Sequence, residues 1–242
     1  MKLSIITINR NNKDGLEKTI RSVIAQTCRD YEYIVIDGAS TDGSAEIIRQ
    51  YEKKISCWIS EPDQGIYNAM NKGILQAHGE YCLFLNSGDI LYNAEALKNI
   101  RTYLDSDYPM ISCRLMYQEQ SDGYLPRQDF SFLTLIGSYL PHPSTLIQRK
   151  LFDQVGFYDE RYAIIADFVF FFRAIVFHNI KYTVIDVPLT IFDRTGISST
   201  GNQHIIERKS FIQNEFSILM KITYRLLLAW EWFKDKITRR TM

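Results

Sequence analysis

No run of 18 uncharged apolar residues occurs in the chain, so the sequence predicts no transmembrane helix. The N-terminus, Met1-Lys2-Leu3-Ser4-Ile5-Ile6-Thr7-Ile8, turns polar too soon to be a signal peptide. The chain also lacks any excess of charge: Lys+Arg and Asp+Glu each total 28. That balance gives no reason to expect nucleic acid as a partner. There is no CxxC pair, no HExxH and no set of Cys/His zinc ligands. The four cysteines (Cys28, Cys57, Cys82, Cys113) are widely spaced, which favours buried free thiols in a reducing compartment. A cytoplasmic protein is expected, with peripheral contact at the inner face of the cell membrane left open. Also missing are GxGxxG after the first strand, GxxxxGK[ST] and a GxSxG elbow. These absences count against a Rossmann dehydrogenase, a P-loop NTPase and an α/β-hydrolase. No internal repeat or low-complexity tract is visible.

What is present is ordinary globular material, 46% hydrophobic and 23% charged across 242 residues. Apolar strand-like runs alternate with helical patterns through the first half. Leu3 to Ile8, Tyr33 to Ile36, Ile55 to Ser60 and Tyr81 to Leu85 read as strands. Between them, a helix capped by Asp14 carries Leu16, Ile20, Val23 and Ile24 on one face, and a second carries Ile47, Ile48 and Tyr51. Gly65 to Ala77 and Ala94 to Leu104 supply two more. Such alternation predicts βαβ units and a parallel sheet covered by helices. After Pro109 the pattern loosens. Strands are expected at Met110 to Tyr117, Gly123 to Arg127, Ser144 to Ile147 and Lys181 to Phe192, the last interrupted by Pro188 at an edge or a bulge. Short helices are expected at Ser131 to Ile136 and Ala166 to Phe177, and one long helix or two from Asn202 to Arg240. The division that follows is one α/β domain over 1–200, with a nucleotide-binding half (1–108) and a mixed acceptor-side half (109–200), then a helical extension (201–242).

Polar residues fall where the strands end: Asn9, Asp37, Asp63 and Asp89. Strand ends of one parallel sheet share an edge, so these groups should converge. Clustered carboxylates there repel unless a cation or hydrogen-bond donors compensate. Asn86-Ser87-Gly88-Asp89 breaks the Tyr81–Leu85 strand with a turn, and Asp89 reads either as a helix cap or as a ligand for a phosphate-bearing divalent metal. In Asp63-Gln64-Gly65-Ile66-Tyr67-Asn68-Ala69-Met70-Asn71-Lys72-Gly73, residues Asn68, Asn71 and Lys72 lie off the apolar face near a helix start, where anions are attracted. Lys72 reads as a phosphate partner or a solvated surface lysine. Asp167, before Phe168-Val169-Phe170-Phe171-Phe172, should be paired or tuned to take a proton; capping its helix is the plainer role. His142, between Pro141 and Pro143, could line the same cleft.

In this order and spacing the motifs resemble glycosyltransferase family 2, of the GT-A fold, in its bacterial surface-polysaccharide branch. They are Ser4 to Arg10, Tyr33 to Gly43, Asp63 to Gly73, Phe84 to Asp89, His142-Pro143-Ser144 and Ala166-Asp167-Phe168. The resemblance implies transfer of a sugar from a nucleoside-diphosphate sugar, a UDP-sugar first, to a glycan or lipid-linked acceptor, with inversion. It implies that Asp37 and Thr7 bind the base, that Asp63 sits near base or ribose, and that Asn71 and Lys72 sit near the diphosphate. Asn9, Asn86 and His142 are further donor-side candidates. Asp89 would hold Mg²⁺ or Mn²⁺, and Asp167 would be the general base. The pattern departs from the family at Asn86, Gly88 and Val169, each of which stands where relatives often carry an acid. A metal-dependent nucleotidyltransferase or a degenerate nucleotide-sugar-binding subunit are the competing readings.

The tail lies outside the resemblance. Phe216 to Phe233 mixes apolar and charged residues and leads into Lys234, Lys236, Arg239 and Arg240. That pattern suits an amphipathic helix on anionic lipid, a homodimer contact, or packing on the catalytic domain.

Overall fold

The computed structural model describes residues 1–118, 120–130, 132, 134, 139–196 and 202–238, with 120–121 and 231–238 described by backbone alone. In chain order the elements are β1 (Leu3–Asn9), α1 (Lys13–Ile24), β2 (Tyr31–Asp37), α2 (Ser44–Gln50), β3 (Cys57–Ser60), α3 (Ile66–Gln76), β4 (Tyr81–Phe84), β5 (Ile90–Leu91) and α4 (Ala96–Ile100). They continue with β6 (Met110–Tyr117), β7 (Gln120–Tyr124), β8 (Thr145–Gln148), α5 (Lys150–Val155), α6 (Ala166–Phe172), β9 (Tyr182–Phe192), α7 (Gln203–Glu215) and α8 (Ile218–Thr238).

Among the described residues the strands form one nine-stranded sheet in the order β3-β2-β1-β4-β8-β6-β9-β5, with β7 paired to β6. The first four strands are mutually parallel, and β8 then joins β4 antiparallel. A single sheet therefore runs through both sequence halves. Alternation along each strand sends residues to opposite faces. Ile6, Ile8, Ile34, Ile36 and Phe84 meet α3, α5 and α6 on one side. Leu3, Ile5, Tyr33, Val35 and Leu83 meet α1, α2 and α4 on the other. Both faces are buried, as a parallel sheet requires. The four cysteines are free, and burial pushes the Cys82 thiol up to about 12.

Several boundaries differ from the sequence reading. Asn12, not Asp14, caps α1: its Oδ1 accepts the Gly15 N–H at 3.2 Å. The helix expected from Ala94 begins at Ala96 and passes into a 3₁₀ segment at Arg101. The helix expected through Phe177 becomes a π-helix after Phe172. β7 starts three residues before the predicted Gly123, because Tyr117 pairs with Gln120. Pro188 marks a bulge, one of the two expected placements: it faces Arg114 where the β6–β9 register shifts, just before β5 pairs with β9 at Thr190 and Ile191. The helix expected over 131–136 lies largely outside the described residues. No helix among the described residues is long and apolar enough to cross a membrane.

The C-terminal helices differ from each other. Phe211 of α7 is fully buried beside Phe168 and Phe172, whereas α8 leaves Ile218, Leu219, Leu226 and Trp230 exposed.

Candidate active site

The carboxyl ends of β1 and β4, the start of α3 and the end of β9 open onto one cleft of about 700 Å³. Asn9, Asp63, Asn86, Asp89, His142 and Asp167 line it. Asn9 links two strand ends: its Nδ2 donates to Asp37 Oδ1 at 2.7 Å, and its Oδ1 accepts the Ser87 hydroxyl at 2.8 Å. Asp63 accepts the Gly65 N–H at 3.1 Å and faces Arg10 at 3.7 Å.

The Asn86–Asp89 turn is pinned from below by α1. The Thr19 hydroxyl donates to the Asp89 carbonyl at 2.7 Å and accepts the Gly88 N–H at 3.0 Å. Gly88 has φ +111°, a backbone conformation that side-chain-bearing residues rarely adopt. The Asp89 carboxylate, 1% exposed, accepts the N–H groups of Asp193 (2.9 Å) and Asn86 (3.2 Å). Burial pushes its pKa up to about 7, and the nearby Asp193 charge acts in the same direction.

Asp167 opens α6 and points into the cleft toward α3. The Tyr67 hydroxyl reaches Asp167 Oδ1 at 2.8 Å and the Ile164 carbonyl at 2.7 Å. Burial, reinforced by the Asp167 charge, raises the Tyr67 and Tyr158 hydroxyls well above the usual phenol range, so both stay protonated. His142 contacts the Tyr158 hydroxyl through Nε2 at 3.2 Å and stacks on Phe84 at 5.0 Å. Burial lowers its pKa, which favours the neutral ring at pH 7.

Four predicted residues are held elsewhere. Thr7 accepts the Tyr33 hydroxyl at 3.0 Å inside the sheet core. Asp37 is fully buried under Asn9, the Ser40 N–H and hydroxyl, and the Ser60 hydroxyl, so its hydrogen bonds are spent on the strand-end loop. Asn71 clamps the chain at Tyr158, donating to its carbonyl at 2.9 Å and accepting its N–H at 3.0 Å. Lys72 pairs with Glu61 at 2.7 Å and donates to the Pro62 carbonyl at 2.9 Å.

The cleft also contains groups the sequence reading did not single out. Tyr67 appeared in the Asp63–Gly73 motif without a role. Asp193 follows the last residue of β9, so extending the strand-end rule to the second half of the chain would have found it. Outside the cleft lining, Glu207 of α7 gave no sequence signal, yet its carboxylate accepts the N–H groups of Ala163, Ile164 and Ile165 at 3.0, 3.0 and 3.2 Å.

A divalent cation suits this donor set. Four carboxylates (Asp63, Asp89, Asp167, Asp193) line the cleft against the single basic lining residue Arg10, among the described residues. Asn86 Oδ1 is buried with no hydrogen-bond partner among the described residues. Oxygen-only ligands match Mg²⁺ or Mn²⁺ rather than zinc. Among the described residues no three His, Cys, Asp or Glu side chains form a self-sufficient metal cage, so phosphate and water oxygens would complete the coordination.

Residues 4–171 match the family model of glycosyl transferase family 2. An uncharacterised glycosyltransferase of Mycobacterium tuberculosis is 33% identical over 81% of this chain and 77% of its own length. A PGL/p-HBAD biosynthesis glycosyltransferase of Mycobacterium bovis is 26% identical over 99% of this chain and 93% of its own. S. aureus TarS 1–349, solved with UDP-GlcNAc, superposes with a TM-score of 0.67 at 20% identity, over 90% of this chain and 68% of that one. A Pyrobaculum calidifontis mannosyltransferase, solved with GDP-Man and Mn²⁺, superposes with a TM-score of 0.63 at 14% identity, over 100% of this chain and 83% of that one. These structures share the GT-A-like fold: a twisted α/β sheet flanked by helices. The chain belongs to glycosyltransferase family 2.

Proposed function

We propose that this glycosyltransferase moves a sugar from a nucleoside-diphosphate sugar, a UDP-sugar in the first instance, onto a hydroxyl of a growing glycan or lipid-linked acceptor in bacterial surface-polysaccharide synthesis. The observation that carries the reading is the placement of Asp167, held by Tyr67, in the same cleft as Asp89.

Asp167 takes the proton of the acceptor hydroxyl while that oxygen bonds to the anomeric carbon. The bond from that carbon to the diphosphate oxygen breaks, and the nucleoside diphosphate leaves with the electron pair. Attack opposite the leaving group inverts the anomeric configuration. Asp89 and Asn86 would hold Mg²⁺ or Mn²⁺, which when bound supplies positive charge to the departing diphosphate. Tyr67, kept protonated, orients the Asp167 carboxylate through its 2.8 Å hydrogen bond. Asp63 and Arg10 line the donor end of the cleft. Asp37 and Thr7 would act on the base side by shaping the Asn9–Ser40 loop, and Asn71 and Lys72 by fixing the walls beside the diphosphate. His142, neutral and stacked on Phe84, shapes the wall between β4 and β8.

The solved complexes of fold relatives with UDP-GlcNAc, and with GDP-Man and Mn²⁺, support a nucleotide-sugar donor and a divalent ion. A cytoplasmic reaction is part of this reading. The exposed apolar residues of α8 support contact with the inner membrane face, where a lipid-linked acceptor would be presented.

A thermal-shift screen of nucleoside-diphosphate sugars with and without Mn²⁺ tests the reading. One donor should stabilise the protein only with metal, and NMR of the product should show the opposite anomeric configuration. Release of pyrophosphate from a nucleoside triphosphate would replace the reading with nucleotidyl transfer.

A further inference from the structure

The turn Asn86-Ser87-Gly88-Asp89 carries a single acid, although the cation proposed above would have to be held there to offset the charge of a diphosphate. The structure brings a second acid to the same place from another part of the chain. β5 pairs antiparallel with β9, Ile90 against Ile191 and Leu91 against Thr190. Continued by two residues, that register sets Gly88 opposite Asp193. The Asp193 backbone N–H then donates to Asp89 Oδ1 at 2.9 Å, fixing the two residues together.

The side chain follows the backbone. Asp193 packs on Gly88 so closely that a Cβ added there would lie 2.9 Å from Asp193 Cγ and closer still to Oδ2. Asp193 Oδ1 is turned away, accepting the Thr195 N–H at 2.9 Å and hydroxyl at 2.8 Å. Oδ2 has no hydrogen-bond donor among the described residues. Both acids line the cleft, together with Asn86, whose buried Oδ1 lacks a partner among the described residues. Two carboxylates held this close repel each other, and a cation between them removes the repulsion.

We propose that Asp193 supplies the second carboxylate of the divalent-cation site, with Gly88 kept small so that this carboxylate can approach the Asn86–Asp89 turn. An acid absent from the turn in sequence is thus delivered to it by strand pairing. Asp193 would bind through Oδ2 while Thr195 holds Oδ1, and Asn86 Oδ1 would add a neutral oxygen. The inference rests on the metal-dependent reading of the site, and the test separates the two.

Mn²⁺ binding is measured by EPR titration of free Mn²⁺, alone and with UDP, in the wild type and in Asp193→Asn, Gly88→Ala and Asp89→Asn. Asp193→Asn keeps an oxygen for Thr195 and should retain the wild-type melting temperature. It should weaken Mn²⁺ binding at least tenfold, as should Asp89→Asn. Gly88→Ala should weaken it also without removing a charge, by displacing Asp193 and by straining the turn at φ +111°. Wild-type affinity in Asp193→Asn, with binding lost in Asp89→Asn, would overturn the role of Asp193 and leave the metal site standing. Failure of the wild type to bind Mn²⁺ even with UDP would overturn the metal-dependent reading and the role of Asp193 with it.

Discussion

Glu207 holds Ile164 in place: its carboxylate accepts the Ile164 N–H at 3.0 Å, and the Ile164 carbonyl in turn takes the Tyr67 hydroxyl at 2.7 Å. The segment leading into Asp167 is thereby fixed from both sides, by α7 through its N–H groups and by α3 through its carbonyl. The helix lying beyond the matched family region is part of the scaffold of the proposed base.

Glu207→Ala leaves three N–H groups without their acceptor, two of them at the half-buried Ile164 and the buried Ile165. A lost acceptor costs about 1–3 kcal/mol per buried donor, and the terms overlap, so about 2–4 kcal/mol of stability should go. At this size that is a fall in melting temperature of roughly 5–12 °C. Glu207→Gln keeps an accepting oxygen and should lose less. Calorimetry of the two variants checks the order; equal loss in both would show that the charge, not the accepting geometry, matters.

Asp167→Asn removes the proton acceptor and should lower kcat by about a thousandfold, within the span of general-base effects. Donor-induced stabilisation should persist, because the change lies on the acceptor side. Tyr67→Phe leaves Asp167 in place without its 2.8 Å partner and should cost kcat roughly tenfold. Steady-state kinetics with the donor found by screening separates the two. A Tyr67→Phe enzyme as slow as Asp167→Asn would make the hydroxyl, rather than the carboxylate, the group that meets substrate.

Asp89→Asn keeps the side-chain shape but removes the buried charge and one of its two N–H acceptors. Transfer should fall below detection, and the metal-dependent part of donor stabilisation should vanish while the protein stays folded. Thermal-shift curves with donor, with and without Mn²⁺, read this directly. Unchanged metal dependence would return Asp89 to the role of a structural cap.

The Arg161 guanidinium, with Arg173 beside it, holds Asp159 down at about 2. The two arginines lie at 2.6 and 3.0 Å. A carboxylate with a depressed folded-state pKa contributes stability that is complete above its unfolded value near 3.8 and is lost as pH falls toward 2. The Asp159 side chain is only 10% exposed, but its main partner Arg161 is 70% exposed, so screening limits the contribution to on the order of 1 kcal/mol. Asp159→Asn should therefore lower stability at pH 6 and make little difference near pH 2. Chemical denaturation at both values tests it; an equal gap at the two pH values would assign the effect to packing.

The first half of the fold was legible because local pattern and tertiary environment agree there. β1, β2 and β4 are buried on both faces, so they stand out as apolar runs broken by polar turns. Beyond Pro109 the elements depend on long-range pairing. Two-residue β5 exists only because β9 runs beside it, and nothing in Ile90-Leu91 announces a strand. The cap at Asn12 was missed because Asp14 satisfies the same residue preference, and only backbone geometry separates them.

At the site, the sequence by itself determined which residue types stand at the strand ends: Asn9, Asp63, Asn86 and Asp89 reach the cleft because a parallel sheet gathers its strand ends along one edge. It did not determine where their hydrogen bonds go. Asn71 and Lys72 read as anion-binding residues near a helix start, yet Tyr158, Glu61 and Pro62 occupy them, partners set by packing. The acids missing at Gly88 and Val169 looked like a deficit along the chain. Tertiary structure decided otherwise: β9 brings Asp193 onto Gly88, and α3 brings Tyr67 to Asp167, because sheet register and helix packing join residues about 100 positions apart.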